Sequence, residues 1–386
     1  MSSVTPTSAE ELAIQLREAA AARRTISVVG NDSKRSAGGP VLPSDVSIST
    51  AGLRSVLQYE PRDLTISVEA GVPFAQLQAL LAENGQMIAL DPPFSSRATI
   101  GGVVAANANG PMRRGYGTAR DLVIGMSFAM LDGRVVKTGG MVVKNVAGLD
   151  MGKLLIGSFG TLAIMTSLNF RLHSLPRNSR TYLFTYPGLA AAIERRDKIL
   201  KSVLQPIALD LISPAAAARF DRRGYVLALR AVGSPAVLAR YSRELSDAEE
   251  LSGDRDGEFW QSVREFASDF LERQPEGVVL RVSTTLKEIA SVISRVPGAC
   301  IARAASGVTY VFLSSWATGA SLWKAAAERH WILAVEFAPS DVRRAMALWQ
   351  TPASGPGAAA FAMMEKVKHM FDPDNLLNRL RLYGRI

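Results

Sequence analysis

Cysteine is almost missing from this chain: Cys300 is the only one in 386 residues. A lone thiol excludes an internal disulfide and any cysteine-clustered metal or iron–sulfur centre within the chain, and it fits a reducing compartment. Histidine is nearly as scarce. His173, His330 and His369 have no paired spacing, so histidine metal ligation and a serine–histidine nucleophile pair find no support, and no metal site is expected. Each of the three reads as a surface or packing residue. No apolar run reaches the ~18 residues of a membrane span, and the N-terminus lacks a charged-then-apolar leader. Aromatic residues make up 7% and basic residues never form a run of five or six, which argues against nucleic-acid binding despite a net charge of +9. Basic residues scattered in ones and twos suit a solvated surface or docking to an acidic subunit.

What is present is the composition of a globular protein, with 48% hydrophobic and 20% charged residues and a length that suggests two or three domains. In "SAEELAIQLREAAAARR" Ser8 and Glu11 have capping-box spacing ahead of an amphipathic helix. The first 175 residues alternate short β-rich runs with helices. Strands are expected at 25–30 and 64–71, and a helix from Pro73 to Gly85. Two more strands, "VIGMSFAML" and "RVVKTGG", flank a turn at Asp132-Gly133. A polar, proline-containing stretch at 173–180 reads as a linker. Beyond it strand–helix–strand units recur, which predicts a four- or five-stranded antiparallel sheet with helices on one face. A last helix ends at Phe371, and the "DPDN" turn after it lets the tail return to the first domain.

Several motifs fail on inspection. "GLDMGKL" (148–154) is one residue short of a phosphate loop and has Leu154 at the metal-binding position. "GYGTAR" (115–120) ends in arginine where a dinucleotide fingerprint needs glycine, and "GMSFA" (125–129) lacks the second glycine of a nucleophile elbow. Three glycine-rich segments remain. In "VVGNDSKRSAGG" the turn after a strand could aim backbone N–H groups at a phosphate, with Lys34 or Arg35 supplying charge, although a plain surface turn has the same composition. In "ATIGGVVAANANGPMRRGYGTARD" (98–121) Gly101 and Gly102 allow close approach of an extended ligand, or else tight packing of small residues. The third, "VAGLDMGKLLIGSFGTLAIMT", tips the balance towards a large ligand with many contacts.

Taken in order, these segments resemble the FAD-binding domain of the vanillyl-alcohol-oxidase family, the PCMH-type flavoprotein fold. The phrases "NGQMIALDPP", "GPMRRGYGTARD" and "KNVAGLDMGKLLIGSFGTL" resemble in particular its glycolate-oxidase E-subunit branch. The resemblance implies an α+β fold: a PCMH-type FAD-binding domain of two α/β subdomains at 1–176, a ferredoxin-like antiparallel-sheet domain at 177–365, and a tail at 366–386 packing on the FAD domain. It implies that Gly30, Asn31, Asp32, Ser33 and Lys34 hold the FAD pyrophosphate. Pro92, Pro93, Thr99, Gly101 and Gly102 would lie along the flavin and its ribityl chain, beside Ala105 and Ala106. Arg114, Tyr116, Gly117 and Asp121 would continue that wall, Gly160 and Ile164 would flank the adenine, and Asn378 would come near the flavin.

The implied function is an FAD-binding subunit of a 2-hydroxy-acid dehydrogenase complex. It would oxidise glycolate to glyoxylate by hydride transfer to FAD and pass electrons to an iron–sulfur partner. A larger homologous FAD subunit would complete a cytoplasmic complex that can sit peripherally at the inner membrane. No catalytic base is named by the sequence; Arg113, Arg114 and Arg281 qualify as carboxylate clamps by residue type alone.

Four departures qualify the likeness. No histidine or cysteine precedes His173, so FAD is expected to be non-covalent. Only His330 stands where relatives that oxidise hydroxy acids unaided carry a cluster of histidines and acids, which favours a structural or electron-relay subunit as the alternative. Leu149 replaces a common tyrosine, and "RLRLYG" follows "LLN" where proline–glycine is usual. A cell-wall precursor reductase or sugar oxidase of the same fold suits "KNVAGLD" and "GPMRRGYG" poorly.

Overall fold

The computed structural model describes residues 2–141, 150–350 and 356–386. Most of "KNVAGLD", with the Leu149 departure, lies outside the described residues. The chain divides into two compact units, one of Met1–Ala108, Thr118–Leu175 and Arg343–Ile386, the other of Asn109–Gly117 and Pro176–Val342. The short segment 109–117 therefore belongs with the second unit, and the return to the first begins at Arg343.

In the first unit β1 (Ser2–Val4), β2 (Ile26–Val29) and β3 (Val46–Ser49) form a parallel sheet in the order β1-β3-β2. Helix α1 (Ala9–Ala21) starts where the capping spacing puts it: Ser8 Oγ accepts the Glu11 N–H at 3.1 Å, and Glu11 Oε2 accepts the Thr7 N–H at 2.7 Å. Leu12, Leu16 and Ala19 recur at helical spacing and are buried in one core with Ile26, Val46, Ile48 and Leu377. Leu377 comes from the far end of the chain. Its neighbours Leu376 and Asn378 exchange backbone hydrogen bonds with Ile26, each at 2.8 Å, so the tail is stitched alongside β2.

A second sheet in this unit is antiparallel, with β4 (Val56–Glu60), β5 (Thr65–Glu69), β6 (Val123–Ala129), β7 (Val135–Gly139) and β8 (Ile164–Arg171) in the order β4-β5-β8-β6-β7. The β6–β7 turn closes as its residues demand: Gly133 takes φ +84° and Asp132 Oδ1 accepts the Arg134 N–H at 3.0 Å. Helix α2 (Phe74–Ala82) begins after Pro73, and Gly85 follows it at φ +62°. Helix α3 (Ile100–Ala105) is capped by Thr99, whose Oγ1 accepts the Gly102 N–H at 3.2 Å.

The second unit is built on one eight-stranded sheet, where four or five strands were expected. Its first half runs β9 (Ser179–Tyr186), α4 (Leu189–Lys201), β10 (Ala208–Ile212), β11 (Tyr225–Val232), α5 (Pro235–Glu244) and β12 (Glu249–Ser252). Its second half repeats that pattern as β13 (Val278–Ser283), α6 (Ile289–Ile293), β14 (Ala299–Arg303), β15 (Val308–Leu313), α7 (Ala320–Glu328) and β16 (Ile332–Phe337). The order β12-β9-β11-β10-β14-β15-β13-β16 makes each half a ferredoxin-like βαββαβ unit. Two such halves share one sheet because β10 and β14 pair antiparallel over Asp210↔Arg303, Leu211↔Ala302 and Ile212↔Ile301, which satisfies edges that separate sheets would leave open. Asp210 and Arg303 also form an ion pair across that seam, with side chains 1% and 12% exposed. Cys300 is buried in β14, and burial pushes its thiol up to about 12, which leaves it inert.

Candidate cofactor site

An open cleft lies in the first unit. Its floor is the end of β2 and the loop Gly30–Lys34. One wall is the start of α3, the other the run from Phe159 to Met165, and Asn378 and Arg381 enter from the segment after α8 (Pro356–Phe371).

The loop turns because Asp32 adopts φ +52°, and the backbone N–H groups of Asn31, Asp32 and Ser33 find no acceptor among the described residues. Consecutive N–H groups around one left-handed residue form an anion-binding concavity. Asp32 itself pairs with Arg35 at 2.8 Å. Lys34 Nζ lies 5.9 Å from the centre of the Phe94 ring.

The glycines divide into two kinds. A Cβ on Gly30 would sit 2.3 Å from Thr99 Oγ1, and one on Gly101 would sit 2.7 Å from the Ala70 carbonyl oxygen and 2.8 Å from Ala70 Cβ. Those two are small because the chain itself packs there. A Cβ on Gly102 would meet nothing nearer than Thr99 Oγ1 at 3.1 Å, so its bareness is left for the cleft. Gly160 takes φ +68° and would bring a Cβ within 2.9 Å of Asn378 Nδ2.

Asn378 lines the cleft but spends its amide on the chain. Its Oδ1 accepts the Val28 N–H at 2.7 Å, and its Nδ2 donates to Phe159 O at 2.7 Å and Val28 O at 3.4 Å. It pins the floor strand β2 to the Phe159 wall and leaves the ligand to others. Behind it Lys368, buried in α8, donates to Thr161 O at 2.8 Å, Leu377 O at 3.0 Å and Asp372 Oδ2 at 2.5 Å. Asp372 in turn accepts the N–H groups of Leu376 and Leu377, at 2.9 and 2.8 Å. Burial draws the Lys368 ammonium below its usual range, and the Asp372 carboxylate opposes that shift.

Of the residues expected to contact the cofactor, Gly30, Asn31, Asp32, Ser33 and Lys34 line this one cleft. So do Thr99, Gly101, Gly102, Ala105 and Ala106 from the α3 wall, and Gly160, Ile164 and Asn378 opposite. Pro92 and Pro93 stand outside its lining, Pro92 being buried ahead of Phe94. Asp121 is engaged in a capping box, its Oδ2 accepting the Thr118 N–H at 2.8 Å and the Thr118 hydroxyl at 3.0 Å. Arg114, Tyr116 and Gly117 belong to the second unit. There Arg114 Nε donates to Pro206 O at 3.1 Å and the Gly115 N–H to Ile207 O at 3.1 Å, because the helical turn Arg113–Tyr116 packs on the entry to β10. Arg381 and the Lys368–Asp372 pair were not picked out from the sequence. The i, i+4 spacing of the pair and the replacement of proline–glycine by "RLRLYG" were the available signals.

These features fit a nucleotide cofactor: a nest of free N–H groups, a bare glycine wall and the cations Lys34 and Arg381 in a single cleft. Comparisons with known proteins agree. A family of FAD binding domains matches residues 2–139, and the C-terminal domain of FAD linked oxidases matches residues 355–382. The chain is 30% identical over 252 residues to the glycolate oxidase subunit GlcE of Escherichia coli, covering 65% of this chain and 67% of that one. It is 31% identical to the glycolate oxidase subunit GlcD of Bacillus subtilis and 28% identical to a D-lactate dehydrogenase of Archaeoglobus fulgidus. Those matches cover 42% and 55% of this chain but span only 34% and 47% of the relatives. Among solved structures, p-cresol methylhydroxylase with substrate bound superposes with a TM-score of 0.76 over 99% of this chain and 88% of that one, at 15% identity, a likeness of fold.

The fold and site are those of an FAD-dependent oxidoreductase. The chain belongs to the PCMH-type FAD-binding family of FAD-linked oxidases, in the glycolate-oxidase E-subunit branch. Its cofactor is FAD.

Proposed function

We propose that this protein is the FAD-binding subunit of a 2-hydroxy-acid dehydrogenase complex whose substrate is glycolate and whose product is glyoxylate. The observation that carries this reading is the likeness to GlcE, which extends over 65% of the chain and so beyond the FAD-binding match at 2–139. A larger homologous FAD subunit and an iron–sulfur subunit are its proposed partners. FAD, when bound, supplies an acceptor for the hydride from C2 of the hydroxy acid.

The chain's own residues do the holding. The N–H groups of Asn31, Asp32 and Ser33 receive the diphosphate, and Gly102 with Ala105 and Ala106 offers a wall low enough for flat contact. Phe159, Asn378 and Arg381 border the same cleft. Non-covalent binding of the flavin is part of this reading, as no histidine or cysteine is among the described residues that line the cleft. No helix among the described residues is long and apolar enough to cross a membrane.

The lone His330 favours a second reading, in which this subunit relays electrons or supports the complex while the larger partner oxidises the substrate. Anaerobic mixing of the purified, FAD-loaded chain with glycolate separates the two. Bleaching of the flavin absorption supports a self-sufficient site. Persistence of the oxidised spectrum, together with bleaching in the co-purified complex, supports the relay.

A further inference from the structure

Arg381 has no role in the expectations drawn from sequence, yet it borders the cleft that the Gly30–Lys34 loop floors. Its Nη1 donates to Gly39 O and its Nη2 to Lys34 O at 3.5 Å, so the guanidinium is held against the end of that loop and the stretch that follows it. Those two contacts leave most of its five N–H donors uncommitted. Its face lies 5.8 Å from the Phe159 ring, another cleft residue. Arg343, itself buried, donates to Gly39 O at 2.7 Å from the other side.

Arg343 and Arg35 act on Arg381 as like charges, and Asp32 opposes them. Asp32 is already paired with Arg35. Burial, with Arg343 adding to it, pulls the Arg381 guanidinium down to about 10. Guanidiniums gathered in a partly buried place repel one another, a cost to the empty protein that an incoming anion removes. The planar fork of arginine matches a phosphate oxygen pair, and the adjoining loop presents three N–H groups to the same space.

We propose that Arg381 is a cofactor-binding residue whose guanidinium, carried on the segment after α8, supplies the countercharge to the FAD diphosphate seated on the Gly30–Lys34 loop. This rests on FAD occupying the cleft. The tail is thereby a clamp on the cofactor, in addition to the edge it adds beside β2.

The test is FAD titration of the deflavinated full-length protein, comparing wild type with Arg381→Met and Arg381→Lys, and thermal melting of each apo form with and without inorganic diphosphate. Arg381→Met is expected to raise the FAD Kd roughly 10- to 100-fold, the loss that follows from removing a charge-assisted hydrogen bond. Its apo melting temperature should stay at or above that of wild type, because a buried cation leaves a cluster of like charges. Arg381→Lys should recover part of the affinity, and inorganic diphosphate should raise the melting temperature of wild type but not of Arg381→Met. An Arg381→Met protein with a Kd within twofold of wild type overturns the proposal. So does a wild-type melting curve that saturating diphosphate leaves unmoved, a result that stands even where Arg381→Met does not fold. Wild-type protein that takes up no FAD would instead sink the cofactor's placement in the cleft.

Discussion

Gly101 and Gly102 are adjacent in α3, yet the structure gives them opposite jobs, and a methyl group added to each in turn exposes the difference. In Gly101→Ala the new Cβ lies 2.7 Å from the Ala70 carbonyl oxygen and 2.8 Å from Ala70 Cβ. Both are backbone or near-backbone atoms that cannot swing away. Overpacking of this kind costs about 1–3 kcal/mol, against which the helical gain of alanine over glycine returns only about 0.5–1 kcal/mol. The apo protein should lose a few degrees of melting temperature, at about 2–4 °C per kcal/mol for a unit of this size. In Gly102→Ala the sole contact is Thr99 Oγ1 at 3.1 Å, which a few tenths of an ångström relieves. Apo stability should stay within about 1 kcal/mol of wild type, while the methyl intrudes on the cleft and raises the FAD Kd roughly 10- to 100-fold. Gly257→Ala, in the helix Asp254–Arg264 with nothing within 4 Å, is the neutral comparison. Gly253, equally open, is a poor one because its φ of +59° would strain any side chain. Urea or thermal unfolding of the apo proteins and fluorescence titration with FAD read both effects. Wild-type affinity in Gly102→Ala, or wild-type stability in Gly101→Ala, would refute the division.

Other expected outcomes follow from buried polar groups. Asn378→Ala leaves the Val28 N–H and Phe159 O without their partner, at about 1–3 kcal/mol for each orphaned group, so unfolding midpoint and FAD affinity should fall together. Lys368→Met strands the Asp372 carboxylate, 0% exposed, and should cost about 3–5 kcal/mol by urea denaturation. In the second unit, Asp210→Ala leaves Arg303 uncompensated at the β10–β14 seam with a similar loss of about 3–5 kcal/mol, and adding Arg303→Met should restore part of it. Acid precipitation of the loaded protein should release all its flavin into the supernatant; yellow colour in the pellet would contradict non-covalent binding.

Local features were legible in the sequence because their causes are local. Ser8 and Glu11 begin α1, Asp132-Gly133 turns β6 into β7, and alternating apolar residues mark the strands, each through contacts only a few residues apart. The three glycine-rich segments were visible for the same reason: a scarcity of side chains is a property of the string itself. How many strands share a sheet was not visible. Two complete βαββαβ units look alike whether they stand apart or join, and only the β10–β14 pairing decides for eight strands.

The cleft divides along the same line. The three glycine-rich segments together pointed to a large ligand, but they could not say that Gly101 answers to Ala70 while Gly102 meets only Thr99. That depends on where Ala70 lies once β5 and α3 have packed. Nor could it bring Asn378 to Val28 across a separation of 350 residues, or set Arg381 beside Lys34. Such meetings are contacts between elements fixed by the packing of the whole unit, and no short-range pattern encodes them. The sequence determined the family, the cofactor and most of the strands; the tertiary structure decided which small residues serve packing, which lie bare at the cleft, and that a distant arginine borders the same cleft.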